Sequence, residues 1–191
     1  SISEDLAAFD DLDEALRYLV EESSKAVQAD RASLFLNDPV TKELYTKFAQ
    51  GNLAHEIRIM NDSGISGAAF QSGQAIIVDD PYTDSRFNQR VDEQTGYHTK
   101  NIIAVPVKTV RGEIIGVLQA LNKQRGRFTK KDLTLLELIT TQASQFLSGM
   151  IELKRVEKLR KHEIEFLEVI SEMTSDTVSY THLTLPTILL V

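Results

Sequence analysis

The stretch "NKQRGRFTKKDL", residues 122–133, joins an apolar run to a long helical pattern. The run before it, "IIGVLQAL", has the continuous apolar content of a buried strand. Thr129 fits a helix N-cap, and Asp132 stands where its carboxylate can reach back to the cap and face the positive helix end. An ion pair of Lys123 with Asp132 would close the loop at its base, although an exposed pair contributes only about 0–1 kcal/mol. Spacing alone therefore leaves two interpretations open, a strand-to-helix connection and the signature of a ligand site.

The composition restricts the possible functions. The 191 residues, 42% of them hydrophobic, suffice for one packed domain with an appendage. A formal net charge of -7 argues against a broad phosphate-binding surface, so we expect no nucleic-acid partner. The chain contains no cysteine, which excludes disulfides, thiolate metal sites, cysteine nucleophiles and thioether-linked cofactors.

The start of the sequence lacks the features of a targeting signal. The start, "SISEDLAAFDD", has neither a basic region nor an apolar core, and no apolar run reaches the roughly 20 residues that span a bilayer. We therefore expect a cytoplasmic location and no membrane partner. Because the chain starts on Ser1 and not on Met, we expect a piece of a longer protein.

The hydrophobic period predicts an α+β domain with a central antiparallel sheet of about six strands. An amphipathic opening helix is predicted within residues 4–29, and a short helix between the glycines of "SGISGAAFQSG", residues 63–73. Strands are predicted in "RASLFLND" (31–38), "ELYTKFAQG" (43–51), "HEIRIMND" (55–62), "AIIVDD" (75–80), "NIIAVPV" (101–107) and "EIIGVLQALN" (113–122). The polar segment of about twenty residues at 81–100 is too long for an ordinary loop, which indicates function or disorder.

From Thr129 onward the pattern is helical, with apolar residues three and four apart. Its continuation "KRVEKLRKHEIEFLEVISEM" is charged on one face and apolar on the other, which favours a connector or coiled coil over the alternative of a terminal helix packed on its own sheet. We place a domain at 1–150 and a connector helix at 151–177, leading to a downstream module. Residues 178–191 are interpreted as a non-native tail, because "VSYTHLTLPT" resembles translated sequencing adapter; a genuine apolar edge strand is the alternative.

Four residues of the opening stretch resemble a known family motif. Asn122, Lys123, Phe128 and Asp132 match the first four positions of the NKFDE motif of GAF domains, the small-molecule-binding modules of cyclic-nucleotide phosphodiesterases and bacterial adenylate cyclases, and Leu133 stands in place of the final glutamate. The resemblance covers about residues 10–150 and includes "RASLFLND", "EIRI", "GISG", "DPYTDSRFN" and "VDEQTGYHTKNIIAVPV". It implies a PAS-like GAF fold with helices on one face of the sheet and a lid over a pocket on the other. It also implies that the four motif residues form a structural clasp and do not contact ligand.

In nucleotide-binding GAF domains the ligand lies between the sheet and the segment that follows the short helix, here residues 81–100, called the lid below. The resemblance implies ligand contacts at the matching positions Ser33, Gln50, Ile65, Ser66, Asn88, Asp92, Thr95, Thr99 and Gln119. Ser33 and Gln119 would face the purine from the sheet, Thr95 and Thr99 would hydrogen-bond ring or ribose groups, and Asn88 and Asp92 would close over the ligand. The free backbone N–H groups at the start of the "GISG" helix would favour a cyclic phosphate. The alternative is that these glycines serve only a turn and close packing.

Three positions depart from the pattern of cGMP-selective relatives. Gln50 replaces an acidic residue, Asn88 an aromatic one and Gln119 a glutamate. Guanine offers N–H donors to a carboxylate, whereas adenine offers one donor and one acceptor, which an amide matches better. We therefore expect a cyclic nucleotide, with cAMP favoured over cGMP.

Other chemistries of this family lack the residues they need. Bilin attachment and methionine-sulfoxide reduction require cysteines, which the chain does not have. His98 is the best candidate for a haem ligand, but a lone histidine in a polar loop is usually just exposed. We expect no metal, no covalent cofactor and no enzyme activity.

The sequence thus predicts a regulatory sensor domain. Ligand binding would order the lid and pass through the terminal helices to an output domain in the same chain, such as a cyclase, phosphodiesterase, kinase or phosphatase. The helical continuation favours a homodimer. The alternative is a GAF domain that has lost its ligand and serves as a dimerisation element.

Overall fold

The computed structural model describes residues 1–50 and 56–184. Two compact units are present, residues 1–148 and a second unit that begins at Gly149. The elements are α1 (Ile2–Ala7), α2 (Leu12–Ala26), β1 (Ala29–Asp38), β2 (Glu43–Ala49), β3 (Arg58–Met60), α3 (Gly64–Ser72), β4 (Ile76–Val78), α4 (Gln89–Thr95), β5 (Ile102–Lys108), β6 (Ile114–Lys123) and α5 (Lys130–Thr184).

The six strands form one antiparallel sheet in the order β3-β2-β1-β6-β5-β4. The two strands at the centre, β1 and β6, have ten residues each, whereas the strands at the two edges have three. The predicted α+β architecture with about six antiparallel strands is confirmed.

Side chains alternate between the two faces of the sheet. On one face Phe35 and Val117, which are cross-strand partners, join a core cluster with Ile65 and Ala69 of α3. Leu34 and Leu118, one residue away on each strand, therefore point to the opposite face, and both are fully buried. Because α2 packs across β1, β2 and β6, the sheet has helices on one side and α3 with the lid on the other.

The opening helix differs from the prediction. One helix was expected within residues 4–29, but α1 ends at Ala7 and α2 begins at Leu12. The break is stabilised by Asp11, whose carboxylate accepts a hydrogen bond from the Asp13 N–H as an N-cap does. Buried leucines, Leu6 and Leu12, lie on both sides of the break, which is why the apolar pattern alone did not reveal it.

The first turns of α5 belong to the first unit. Leu136, Ile139, Ala143 and Leu147 are buried there, at the spacing of one helix face. In the second unit the residues predicted as the connector are helical, and their described side chains are exposed. The backbone of 178–184 continues the helix, and 185–191 lie outside the described residues, so the non-native tail stays a prediction. Within residues 1–50 and 56–184, no helix combines the length and the apolar content that crossing a membrane requires.

Candidate functional site

A cavity of about 60 Å³ lies between the sheet, α3 and the lid. Its wall is mostly apolar, with a few amide, hydroxyl and carboxylate groups, which is the usual composition of a small-molecule site. The lining residues are Phe35, Ile59, Gly64, Ile65, Ser66, Phe87, Asn88, Val91, Asp92, Thr99, Ile102, Gln119 and Leu121.

The structure brings six of the nine predicted ligand residues to this one cavity. They are Ile65, Ser66, Asn88, Asp92, Thr99 and Gln119. They come from α3, from the lid with α4, and from β6, so residues up to 54 positions apart in sequence share one wall.

The other three predicted residues do not line the cavity. Ser33 lies directly opposite Gln119 in the sheet and is buried there. Gln50 extends the pairing of β1 with β2, because its Oε1 accepts the Ala32 N–H at 2.9 Å and its own N–H donates to the Ala32 carbonyl at 2.9 Å. Thr95 is exposed at the end of α4, where its hydroxyl donates to the Val91 carbonyl at 2.8 Å.

The glycines of "GISG" serve different purposes. Gly64 opens α3 with φ +71 and borders the cavity. Gly67 does not line the cavity, and a Cβ there would meet the Asp62 carbonyl carbon at 2.6 Å, so this glycine is required by packing. The predicted phosphate cradle thus has Gly64, Ile65 and Ser66 at the cavity, and binding of phosphate stays a prediction.

Asp92 is a buried acceptor that links three groups of the lid. Its buried carboxylate accepts hydrogen bonds from the Tyr82 hydroxyl at 2.8 Å, the Thr99 N–H at 2.7 Å and the Thr99 hydroxyl at 2.7 Å. The bond to Asp92 raises the pKa of Tyr82, with burial adding to the effect. Asp92 and Thr99, both predicted to contact ligand, therefore bind each other and close the lid in this conformation.

Aromatic residues that sequence reasoning missed hold the lid in place. The Tyr82 ring stacks on His98 at 5.0 Å between centroids and meets Phe87 edge-on at 5.2 Å. Tyr97 donates to Asp30 Oδ2 at 2.6 Å, and burial, ahead of that bond, raises its pKa. One feature of the sequence could have revealed this role: four aromatic side chains, counting His98, stand in a mostly polar segment.

His98, the candidate haem ligand, is exposed and stacks on Tyr82. In the part of the chain that the structure describes, no group of three or more His, Asp or Glu side chains could hold a metal ion.

The predicted ion pair of Lys123 with Asp132 is formed, at 2.8 Å, with both side chains mostly buried. Lys123 also donates to the Val27 carbonyl at the end of α2, at 2.8 Å. Asp132 Oδ2 accepts the Thr129 N–H at 2.9 Å, which is the capping arrangement that the spacing predicted. Phe128 is buried beside them, so the clasp joins β6, α2 and α5.

Asn122 extends the clasp to the lid. Its Oδ1 accepts the Lys100 N–H at 2.6 Å, and its Nδ2 donates to the His98 carbonyl at 2.9 Å. The backbone of Asn122 has φ 57, in the left-handed region that asparagine tolerates better than most residues. The motif asparagine therefore fixes the end of the lid to the end of β6.

An open groove of about 480 Å³ adjoins the cavity on the outside of the lid. Gly64, Phe87 and Asn88 line both, so they form the boundary between groove and cavity. Arg86 and Arg90 also line the groove. Arg86 is bound to Asp84 at 2.7 Å and holds the pKa of that carboxyl at about 2.

The bonds within the lid predict a measurable effect of Thr99. We expect Thr99→Ala to lower the free energy of unfolding by about 1.5 kcal/mol, because a buried hydrogen bond to a charged group is lost. Amide hydrogen exchange should quicken mainly in residues 88–101. Thr99→Ser keeps the hydroxyl and should behave like the unmodified chain; equal effects of the two substitutions would contradict the assignment.

Comparison with known proteins identifies the family. The family model described as "GAF domain" matches residues 11–147. The chain belongs to the GAF family. It is also 34% identical over 164 residues to a probable 3',5'-cyclic phosphodiesterase of Caenorhabditis elegans, an alignment that covers 78% of this chain and 22% of that protein. The chain thus spans about a fifth of the length of this relative.

Solved structures of other GAF proteins share the fold. The GAF domain of a phosphoenolpyruvate-protein phosphotransferase from Coxiella burnetii superposes with a TM-score of 0.69 at 21% identity, covering 83% of this chain and 92% of that one. Free methionine-R-sulfoxide reductase from Neisseria meningitidis, in complex with its substrate, gives 0.66 at 23% identity, covering 82% and 87%. At these identities the similarity concerns the fold alone, which a phosphotransferase and a reductase share.

Proposed function

We propose that this GAF domain is a regulatory module that binds a cyclic nucleotide, with cAMP favoured over cGMP. Binding would pass through the terminal helices to an output domain in the same chain, such as a cyclase, phosphodiesterase, kinase or phosphatase. The module itself would carry out no catalysis, and its setting would be cytoplasmic. The relative described as a probable cyclic phosphodiesterase supports this assignment.

The observation that carries the proposal is the convergence of six predicted side chains on one cavity. An apolar wall from Phe35, Ile65 and Ile102 would pack against a purine, while Ser66 and Gln119 offer hydrogen bonds at one end. Gly64 brings the start of α3 to the cavity, where the N–H groups of the first helical turn would favour an anionic phosphate.

The size of the cavity implies movement of the lid. Small-molecule sites are commonly about 300–1,000 Å³, whereas this cavity measures about 60 Å³. The groove of about 480 Å³ outside it shares Gly64, Phe87 and Asn88 with the cavity wall. We propose that the ligand enters from this groove and displaces Phe87 and Asn88. Contacts with the ligand would then replace the contacts that now close the lid. Ligand binding and lid position are thereby coupled.

Calorimetric titration of the whole chain with cAMP and with cGMP tests the proposal. We expect heat and a thermal shift with cAMP, since ligand at 100 times its Kd stabilises the folded state by about 2.7 kcal/mol. Neither heat nor a shift with either nucleotide would refute cyclic-nucleotide binding.

A second candidate is a GAF module that binds no ligand and serves dimerisation. It is favoured by the small cavity and by the exposed apolar residues of the second unit. Val156, Leu159, Phe166 and Ile170 follow one face of the helix at coiled-coil spacing. Both candidates allow a homodimer through this helix, so the calorimetric result separates them.

A further inference from the structure

The contact of Ser66 with Gln119 defines which polar atom the amide turns toward α3. The Ser66 hydroxyl oxygen lies 2.6 Å from Gln119 Oε1. Such a distance suits an O–H···O bond, whose range is about 2.5–3.0 Å, and is shorter than the usual range of about 2.7–3.2 Å for N–H···O. The hydroxyl therefore donates to the amide oxygen, and the amide nitrogen Nε2 points elsewhere.

The surroundings hold this orientation. Ser66 is buried in the first turn of α3, whose backbone fixes the position of its Cβ, and its hydroxyl has Gln119 Oε1 as its hydrogen-bond partner within residues 1–50 and 56–184. The two residues directly across the sheet from Gln119 are Ser33 on β1 and Ala104 on β5. Ala104 has no polar side-chain atom, and within residues 1–50 and 56–184 no group accepts a hydrogen bond from Gln119 Nε2. Gln119 lines the cavity, so its Nε2 is a donor that is available to a ligand there.

We propose that Ser66 is a specificity-determining residue, because it locks the Gln119 amide so that this wall presents N–H donors to the ligand. The inference rests on the proposed function and names the ligand class more closely. The site selects a purine edge that offers an acceptor there, as the ring nitrogens of adenine do. It disfavours the donor edge of guanine, whose N1–H and 2-amino group would face N–H donors and leave them unpaired.

The test measures the ratio of dissociation constants for cGMP and cAMP in the whole chain, by calorimetry. We expect the unmodified chain to bind cAMP about 10-fold more tightly, a factor within the usual cost of one buried unpaired donor. Ser66→Ala frees the amide to rotate, so the ratio should fall toward one. Gln119→Glu presents only acceptors and should shift the preference toward cGMP.

Ser63→Ala is the matched control, because Ser63 stands at the start of the same helix and its side chain makes no capping bond. It should leave the ratio unchanged. A ratio that is the same in Ser66→Ala as in the unmodified chain, or a preference of the unmodified chain for cGMP, would overturn the proposal.

The lock can also be tested without ligand. The two Nε2 protons of Gln119 should give one narrow pair of side-chain NMR signals, assigned by their loss in Gln119→Glu. In Ser66→Ala the pair should shift or broaden as the amide gains a second orientation, whereas an unchanged pair would refute the lock. If no cyclic nucleotide binds but the pair responds, the proposed function fails while the amide orientation stands.

Discussion

Replacing Asp132 with alanine is expected to lower the free energy of unfolding by about 3 kcal/mol, because it breaks a buried ion pair and leaves one charge behind. The Asp132 and Lys123 side chains are only 8% and 12% exposed, with 2.8 Å between Oδ1 and Nζ. Without the carboxylate, the Val27 carbonyl is the one hydrogen-bond partner that the ammonium keeps among residues 1–50 and 56–184. The cap on Thr129 is lost as well. Urea denaturation with an unchanged m-value would measure the loss.

An exposed ion pair of the same loop provides the control. Arg127 lies 3.6 Å from Asp79, with side chains 71% and 51% exposed. Arg127→Ala should change the free energy of unfolding by less than about 0.5 kcal/mol, because solvent screens such pairs. If Asp132→Ala were as mild as Arg127→Ala, the buried clasp would not be a stabilising element.

The same pair predicts the direction of a pH effect. Burial alone would raise the pKa of Asp132, but the hydrogen bonds from Lys123 and from the Thr129 N–H outweigh it, so the pKa lies below its ordinary value. A lowered folded-state pKa means that the contribution is complete above the unfolded value of about 3.9 and is lost as the pH falls through the folded value. The stability difference between the unmodified chain and Asp132→Ala should therefore shrink in acid.

Gly116→Ala is expected to destabilise the domain by about 3 kcal/mol, at the upper end of the usual cost of overpacking. Gly116 pairs with Leu36 where β6 meets β1 at the centre of the sheet. A Cβ there would lie 2.2 Å from the carbonyl oxygen of Phe35, which is backbone and cannot rotate away. The two central strands would have to separate locally. Thermal and urea unfolding of the substituted chain measure the cost.

Gly149→Ala is the matched control for this substitution. A Cβ at Gly149 would meet no atom within 4 Å, and the residue lies inside α5, where alanine has the higher helix propensity. We expect no loss of stability. An equally harmless Gly116→Ala would contradict the close approach of the β1 backbone to β6 at this position.

The elements of the fold followed from the sequence wherever one local rule decided the structure. The apolar runs at 101–107 and 113–122 became β5 and β6 because central strands are buried on both faces. The start of α5 was predictable because Thr129 and Asp132 form a cap that depends only on residues three apart. The N-cap at Asp11 was not predicted, because it starts a new helix without interrupting the run of apolar residues in the sequence.

The site was predictable as a region and only partly as a set of side chains. The place of a residue in the sequence did not reveal the direction of its side chain. The Gln50 amide bonds the Ala32 backbone, and the Thr95 hydroxyl bonds the carbonyl four residues earlier in α4. Asp92 and Thr99 were placed at the cavity, but their bonds to each other depend on how the lid folds over the sheet. Such directions follow from tertiary packing, which no single-residue preference encodes.

The three-residue strands β3 and β4 at the edges of the sheet have a consequence for assembly. An exposed strand edge is a template on which other chains can add strands, and a long, flat edge favours aggregation. Here the ten-residue strands are enclosed, and each outer edge offers only a few backbone groups, with Arg58 and its carboxylate partners beside one of them. Growth of the sheet from copy to copy is thereby disfavoured, so a high local concentration of this domain need not lead to strand-mediated aggregation.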